Sequence, residues 1–323
     1  MLERDLVKES LHSAGKYKPI IDAHTHAGFD HYEIIKKRYP TSQSVKDLVF
    51  KLDNAGVDFS VTFPCPNSTY YFDLMSLLKE EHILEPRPIE SFPYEFSNRQ
   101  LFYETSLFGK NKIMPFAFIF PGFDENKQVD SLEALAQKGY LFGLKYHTLV
   151  GAISARSLIN SPFIELARKY SLPFIIHSGV DNFSRPEHIM DLAEAHVDVR
   201  FCIAHAGEFE ESVYRRFLEF RYKNIFFDCS PFISICALNK NDIKNKIDID
   251  YNDPQKALIQ LYKMIPDSLI WGTDEPWTTI TDNSKEEILV KVDYQDEVDL
   301  LKSLPKNIQE TISHTNTIRF LFG

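Results

Sequence analysis

Eight short apolar runs, nearly all separated by a stretch of helical periodicity, constrain this chain more than any other feature. The runs are Ile20 to Ala23, Val57 to Phe63, Met114 to Phe120, Leu141 to Tyr146, Pro173 to Ile176, Val199 to Ala204, Ile225 to Phe227 and Leu269 to Trp271. Helices are predicted over Val45 to Ala55, Ser131 to Lys138, Phe163 to Tyr170, Glu187 to Ala195, Glu211 to Arg221, Pro254 to Met264 and Ser284 to Ser303. Ser161-Pro162 and Asp253-Pro254 each offer a capping side chain followed by a proline suited to a first helical turn. Strands buried on both faces read as continuous apolar runs, and parallel strands need helical crossovers. Repeated eight times, the pattern predicts an α/β fold, a (β/α)8 TIM barrel. A doubly wound open sheet is the alternative. It is weakened because Asp22-Ala23-His24-Thr25-His26-Ala27-Gly28 stands where a dinucleotide-binding Gly-x-Gly-x-x-Gly would follow the first strand.

A single barrel accommodates 323 residues, with residues 1–18 as an N-terminal extension and 19–323 as one domain. The least barrel-like stretch, residues 64–98, is rich in Pro, Tyr and Phe and reads as an insertion after the second strand, with a short helix over Phe72 to Glu81. A second excursion runs from Pro231 to Asn252. The net charge of −10 argues against a nucleic-acid partner, because phosphate binding needs a basic face. The first 18 residues lack the apolar core of a signal peptide, and no run is long enough for a bilayer, so a soluble, cytoplasmic protein without a membrane partner is expected. Cys65, Cys202, Cys229 and Cys236 show no Cys-x-x-Cys spacing and read as free thiols.

Metal-binding residue types gather at the C-terminal ends of the runs. His24 and His26, two apart on an extended strand, point to one face. The fourth run ends with Lys145 and His147, the fifth with His177, the sixth with His205 and the eighth with Asp274. A histidine after an apolar run is by itself an ordinary core or loop residue. Here five of the eleven histidines fall at run ends, on the face where such barrels carry their sites. Histidines with a carboxylate suit a divalent transition ion, zinc by default.

With these residues in place, the chain resembles the amidohydrolase superfamily, in particular its amidohydrolase-2 branch of metal-dependent hydrolases and aminocarboxymuconate-semialdehyde decarboxylase-like enzymes. The resemblance is carried by Ile21-Asp22-Ala23-His24-Thr25-His26, Gly143-Leu144-Lys145-Tyr146-His147 and Pro173-Phe174-Ile175-Ile176-His177-Ser178-Gly179. It continues through Ile203-Ala204-His205-Ala206-Gly207, Trp271-Gly272-Thr273-Asp274 and the closing Asn316 to Gly323. It implies a distorted barrel holding one divalent ion rather than two, with His24, His26, His177 and Asp274 as ligands. His205 matches a position that orients and activates water or binds a second ion. Lys145 matches a lysine that bridges two ions when carboxylated; read as an ordinary lysine, it binds a substrate carboxylate or pairs with a nearby acid, and His147 is a substrate contact or supports a ligand.

Three functions remain open at this level. The first is hydrolysis of a small carbonyl substrate (amide, ester or lactone) by activated water, with His205 or Asp274 as the proton acceptor. The second is decarboxylation of an unsaturated or aromatic acid, its carboxylate gripped by Arg38, Arg87, Arg99 or Arg185. The third is a catalytically silent binding barrel. Tyr70, Tyr71, Phe72, Phe92, Tyr94 and Phe96 of the insertion would form an apolar lid, pack onto the barrel, or make a homodimer contact.

Overall fold

In a computed structural model, the structure describes residues 2–13, 15, 17–29, 42–66, 92–240, 243–282 and 287–323. All eight apolar runs contain strands of one parallel sheet. These are β1 (Ile21–Phe29), β3 (Phe59–Pro64), β4 (Ile113–Phe118), β5 (Gly143–Tyr146), β6 (Phe174–Ile176), β7 (Phe201–Ile203), β8 (Ile225–Asp228) and β9 (Leu269–Ile270), with the short β2 (Ser42–Gln43) antiparallel on the edge of β1. Parallel pairing runs from β1 through β3 to β9 in chain order. The ends then meet: Ala23 N donates to Trp271 O at 3.0 Å, His26 N to Glu275 O at 2.7 Å and Asp274 N to His24 O at 2.7 Å. Gly272 permits this seam, since a Cβ there would sit 2.9 Å from the His24 nitrogen. Asp22, fully buried, fastens it, accepting from the Thr273 hydroxyl at 2.8 Å and the Thr273 amide at 3.1 Å. The fold is the TIM barrel that the alternation predicts.

Side-chain parity divides the core in two. Ile21, Ala23, Val61, Phe63, Met114, Phe116, Ile175, Cys202, Phe226 and Ile270 share an inner cluster, while Leu144, Phe174, Ile176, Phe201, Ile203, Ile225, Phe227 and Leu269 pack in the outer cluster with the helices. All four cysteines are buried.

Most helices begin where their caps predict. Ser44 and Asp47 form a capping box for Val45–Ala55, and Gly56 ends it in the left-handed region at φ 66°. Pro162, Pro186 and Pro254 occupy first turns. Two predicted helix starts need correction, and three further stretches carry helices that the sequence did not disclose. Residues 1–18 include a helix, Arg4–Ser13, whose Val7 and Leu11 enter the inner cluster. The fourth-strand crossover helix begins at Glu125, six residues before the predicted Ser131, because Gln128 and Leu132 continue its buried face. Helix Glu95–Phe108, which buries Asn98, Leu101, Phe102 and Thr105, begins within the stretch read as an insertion. Pro231–Asn252 contains helix Phe232–Asn239. The helix predicted from Ser284 starts at Tyr294, where Asp293 and Asp296 form a capping box; before it, β11 (Glu287–Val290) pairs with β10 (Ile280–Asp282). The predicted helix Phe72 to Glu81 lies outside the described residues.

Candidate metal centre

His24 reaches the barrel interior through a bulge. Register passes from Asp22 opposite Ser60 to Thr25 opposite Thr62, so β1 has two residues where β3 has one. Ala23 belongs to the inner cluster, and strict alternation would turn His24 outward; the bulge turns it in, together with His26. Thr25 faces away, its hydroxyl 2.7 Å from the Ser60 hydroxyl and 2.9 Å from that of Thr62.

The rim gathers the predicted residues around one cavity of about 260 Å3. Among the described residues it is lined by His24, His26, Lys145, His147, His177, His205 and Asp274, with Pro66, Leu149, Val150 and Trp277. Ligand atoms of His24, His205 and Asp274 lie within 4.8 Å of one another. Asp274 Oδ1 is 3.1 Å from His24 Nε2 and 3.2 Å from His26 Nε2. On the other side, His177 Nδ1 is 2.9 Å from His205 Nε2, and the rings of His147 and His177 stack at 3.9 Å. Lys145, 1% exposed, places Nζ 3.3 Å from His24 Nε2 and 4.6 Å from the centre of the Phe63 ring.

Ring protons follow from the partners that can only accept. His24 Nδ1 meets Asp228 Oδ2 at 3.0 Å, His26 Nδ1 meets Pro64 O at 2.8 Å and His205 Nδ1 meets Ser230 O at 2.6 Å. Each Nδ1 therefore carries hydrogen, and three Nε2 lone pairs remain for the interior. The Lys145 ammonium donates to that of His24, and His177 Nδ1–H to that of His205. The His26 lone pair faces the Asp274 carboxylate, acceptor against acceptor, which a shared cation or proton would resolve.

Electrostatics follow the same logic. Burial and Lys145 lower the His24 pKa, but Asp228 and Asp274 outweigh them and raise it. Burial takes His26 down to about 4 and holds His147 and His177 well below the ordinary range; it also lowers His205. It takes Lys145 down to about 8 against the pull of Asp228 and Asp274. Burial opposes ionisation of Asp274 too, yet His24, His26 and His205 hold its pKa well below the usual carboxylate range. His26, His147, His177 and His205 are thus neutral imidazoles beside an ionised carboxylate, the forms that ligate a metal.

The donor set fits a divalent ion. Bonds of about 2.1 Å to one ion would separate neighbouring donors by roughly 3.0–3.4 Å. The separations of 3.1 and 3.2 Å at Asp274 are close to that.

The amidohydrolase family model matches residues 107–323, more than half of the sequence. The chain belongs to the amidohydrolase family. As such it is an enzyme of the amidohydrolase superfamily, with a cluster able to hold a metal ion. Solved structures share the amidohydrolase fold at low identity. A 2,6-dihydroxybenzoate decarboxylase from Rhizobium is 12% identical with a TM-score of 0.61, over 94% of this chain and 99% of that one. A 5-carboxyvanillate decarboxylase from Novosphingobium aromaticivorans, complexed with manganese and 4-hydroxy-3-methoxy-5-nitrobenzoic acid, is 11% identical with a TM-score of 0.61, over 95% and 97%. A probable 2-pyrone-4,6-dicarboxylic acid hydrolase from Acinetobacter baumannii, with citric acid bound, is 16% identical with a TM-score of 0.57, over 94% and 98%. No curated protein matches this amidohydrolase in sequence, and no helix among its described residues is long and apolar enough to cross a membrane.

Sequence reasoning missed Asp228. It is fully buried, receives His24 Nδ1–H on Oδ2, and accepts on Oδ1 from the Ser230 hydroxyl at 2.6 Å and the His205 amide at 3.3 Å. One carboxylate thereby orients two members of the cluster. The signal was present, since Asp228 follows the seventh run as His177 follows the fifth. Of the candidate arginines, Arg99 and Arg185 are exposed and do not line the cavity, while Arg38 and Arg87 lie outside the described residues, as do Tyr70, Tyr71 and Phe72. Phe92 and Tyr94 are buried, Tyr94 stacking on Phe118 at 4.6 Å, whereas Phe96 is 54% exposed.

Proposed function

We propose that this amidohydrolase is a metal-dependent hydrolase of a small carbonyl compound (an amide, ester or lactone) and works in the cavity at the barrel rim. The observation that carries the reading is the convergence of the His24, His26 and His205 lone pairs on the side of the cavity that holds the Asp274 carboxylate. His24, His26 and Asp274 would hold one ion, with the fourth donor from the His177–His205 pair. The resemblance assigns that donor to His177. The hydrogen-bond pattern favours His205, whose Nε2 is bare while His177 Nδ1 carries the proton between them. A bound divalent ion would supply Lewis acidity, polarising the carbonyl and acidifying water toward a pKa of about 7. Asp274, ionised at neutral pH, takes the proton from the attacking water and returns it to the leaving group, and His177 relays protons from the other side. Lys145, as an ammonium beside His24, favours one ion over a bridged pair.

Decarboxylation of an aromatic or unsaturated acid is the second reading. It is favoured by the buried Lys145 cation, able to hold a carboxylate, and by the fold shared with two decarboxylases. Histidine-rich donors suit zinc, whereas manganese is the ion in one of those neighbours. Elemental analysis after repletion, with pH-stat assays on amides, esters and lactones and carbon dioxide release from hydroxybenzoates, tests both. Stoichiometric metal and hydrolysis that is lost on chelation and restored by metal is the expected result. Less than about half an equivalent of metal after repletion would sink both readings, and carbon dioxide release without hydrolysis would replace the first by the second.

A further inference from the structure

Helix Phe232–Asn239 follows β8 and does not line the cavity. Its N-cap is Pro231, which offers no capping side chain. A helix of 8 residues needs tertiary support, and an unmet amide in a buried first turn costs free energy. The acceptor comes from a distant helix. Glu297, fully buried on Tyr294–Ser303, takes the Ile233 amide on Oε1 at 2.9 Å. Its other oxygen has no partner among the described residues, so this cap is the one hydrogen bond of its side chain there.

Ser230 stands two residues before the helix. Its carbonyl lies in the plane of the peptide bond to Pro231, so its direction is set by where the helix begins. That carbonyl accepts His205 Nδ1–H at 2.6 Å, while the Ser230 amide and hydroxyl donate to Asp228 Oδ1 at 3.1 and 2.6 Å. A second tie runs from the Ser234 hydroxyl to Thr278 O, next to the cavity residue Trp277. The 2.9 Å bond between His177 Nδ1 and His205 Nε2 is equally good in reverse, with His205 donating. The Ser230 carbonyl selects the direction, because it can only accept and so holds the His205 proton on Nδ1.

We infer that Glu297 is a positioning residue: by capping helix Phe232–Asn239 it holds the Ser230 carbonyl against His205 and so keeps the Nε2 lone pair of that ring toward the cavity. Its effect on metal binding rests on the function proposed above; its effect on the ring proton does not.

Nitrogen-15 spectra of the histidine rings, taken on metal-free and zinc-loaded protein, read the tautomers, with His205→Gln identifying the His205 signals. Wild-type His205 should be the Nδ1–H form. Glu297→Met removes the acceptor, and its metal-free spectrum should show mixed tautomers at His205 and His177. His26, whose Nδ1–H goes to Pro64 O, should stay unchanged. Zinc affinity should fall roughly three- to tenfold. Glu297→Gln, whose side-chain oxygen still accepts the Ile233 amide, should restore both spectrum and affinity. A wild-type His205 signal in the folded Met variant overturns the inference. So does an equal change at His26, or a Gln variant as disturbed as the Met variant. If the Met variant does not fold, Glu297→Asp, one methylene short of the amide, must show the same mixture. Wild-type protein that binds no zinc would sink the proposed function, and the metal-free spectra would still decide this inference.

Discussion

At the base of the barrel, helices Arg4–Ser13 and Asn316–Phe322 close the interior with Val7, Leu11, Phe320 and Phe322. Carbonyls of the last helix are met by side chains that only donate: Arg4 Nη2 to Leu321 O at 2.6 Å, Arg200 Nε to Phe320 O at 2.7 Å and Lys8 Nζ to Phe322 O at 3.3 Å. Cations at a helix C-terminus are favourable both as donors and toward its dipole. The rim is built the other way. Five consecutive residues, His205 to Phe209, have φ between 50° and 58°, and Asp274 has φ 63°. Left-handed backbone costs roughly 1–2 kcal/mol per non-glycine residue. The rim also buries Asp274, His24 and Lys145, charged or chargeable groups whose desolvation opposes folding. Strain and uncompensated lone pairs gather where the chemistry sits, whereas at the base the helix carbonyls find donors and Arg4 Nε alone of that set lacks an acceptor.

The contrast can be broken from either end. The largest effect is expected at Asp228, which acts through His24 and His205. Asp228→Asn should weaken metal affinity by about ten- to hundred-fold, read by competition with a chelating dye, while the fold persists by circular dichroism. Unchanged affinity would remove Asp228 from the account of the rim. At the base, Arg4→Met takes one of two donors from the Ser171 and Leu321 carbonyls, which keep Arg200 Nη2 at 2.7 and 3.4 Å, and should lower stability by about 1 kcal/mol in urea titration, without changing metal affinity. A change in metal affinity instead would show that the two ends are not separable. The smallest effect is expected at Glu208, half-buried within the left-handed run at φ 55°. Glu208→Gly should raise stability by roughly 0.5–1 kcal/mol, because glycine adopts that backbone without strain and the Lys246 bond to the Glu208 carbonyl is kept. Destabilisation would mean that the Glu208 side chain contributes more than its backbone costs.

Strand order, barrel closure and most helix starts were legible because they rest on local signals. Apolar runs mark doubly covered strands, and Ser44, Pro162, Pro186 and Pro254 mark helix entries. Helix Arg4–Ser13 and helix Phe232–Asn239 were not legible, since their stability comes from distant partners such as the last helix and Glu297, whose carboxylate receives the Ile233 amide at 2.9 Å. Helix Glu95–Phe108 was hidden by the aromatic and proline residues before it.

The candidate site divides along the same line. The sequence by itself determined that His24 and His26 share a face, because strand periodicity is two, and that Lys145, His147, His177, His205 and Asp274 stand at strand ends on one rim. Which face the two histidines share was decided by the bulge between Asp22 and Thr25, a register choice set by pairing with β3. Which ring nitrogens are free was decided by Asp228, Pro64, Ser230 and Val150, residues 3 to 204 positions away from the histidines they fix. Local periodicity is written in neighbouring residues, whereas parity after a bulge and the position of a ring proton exist only once distant segments meet.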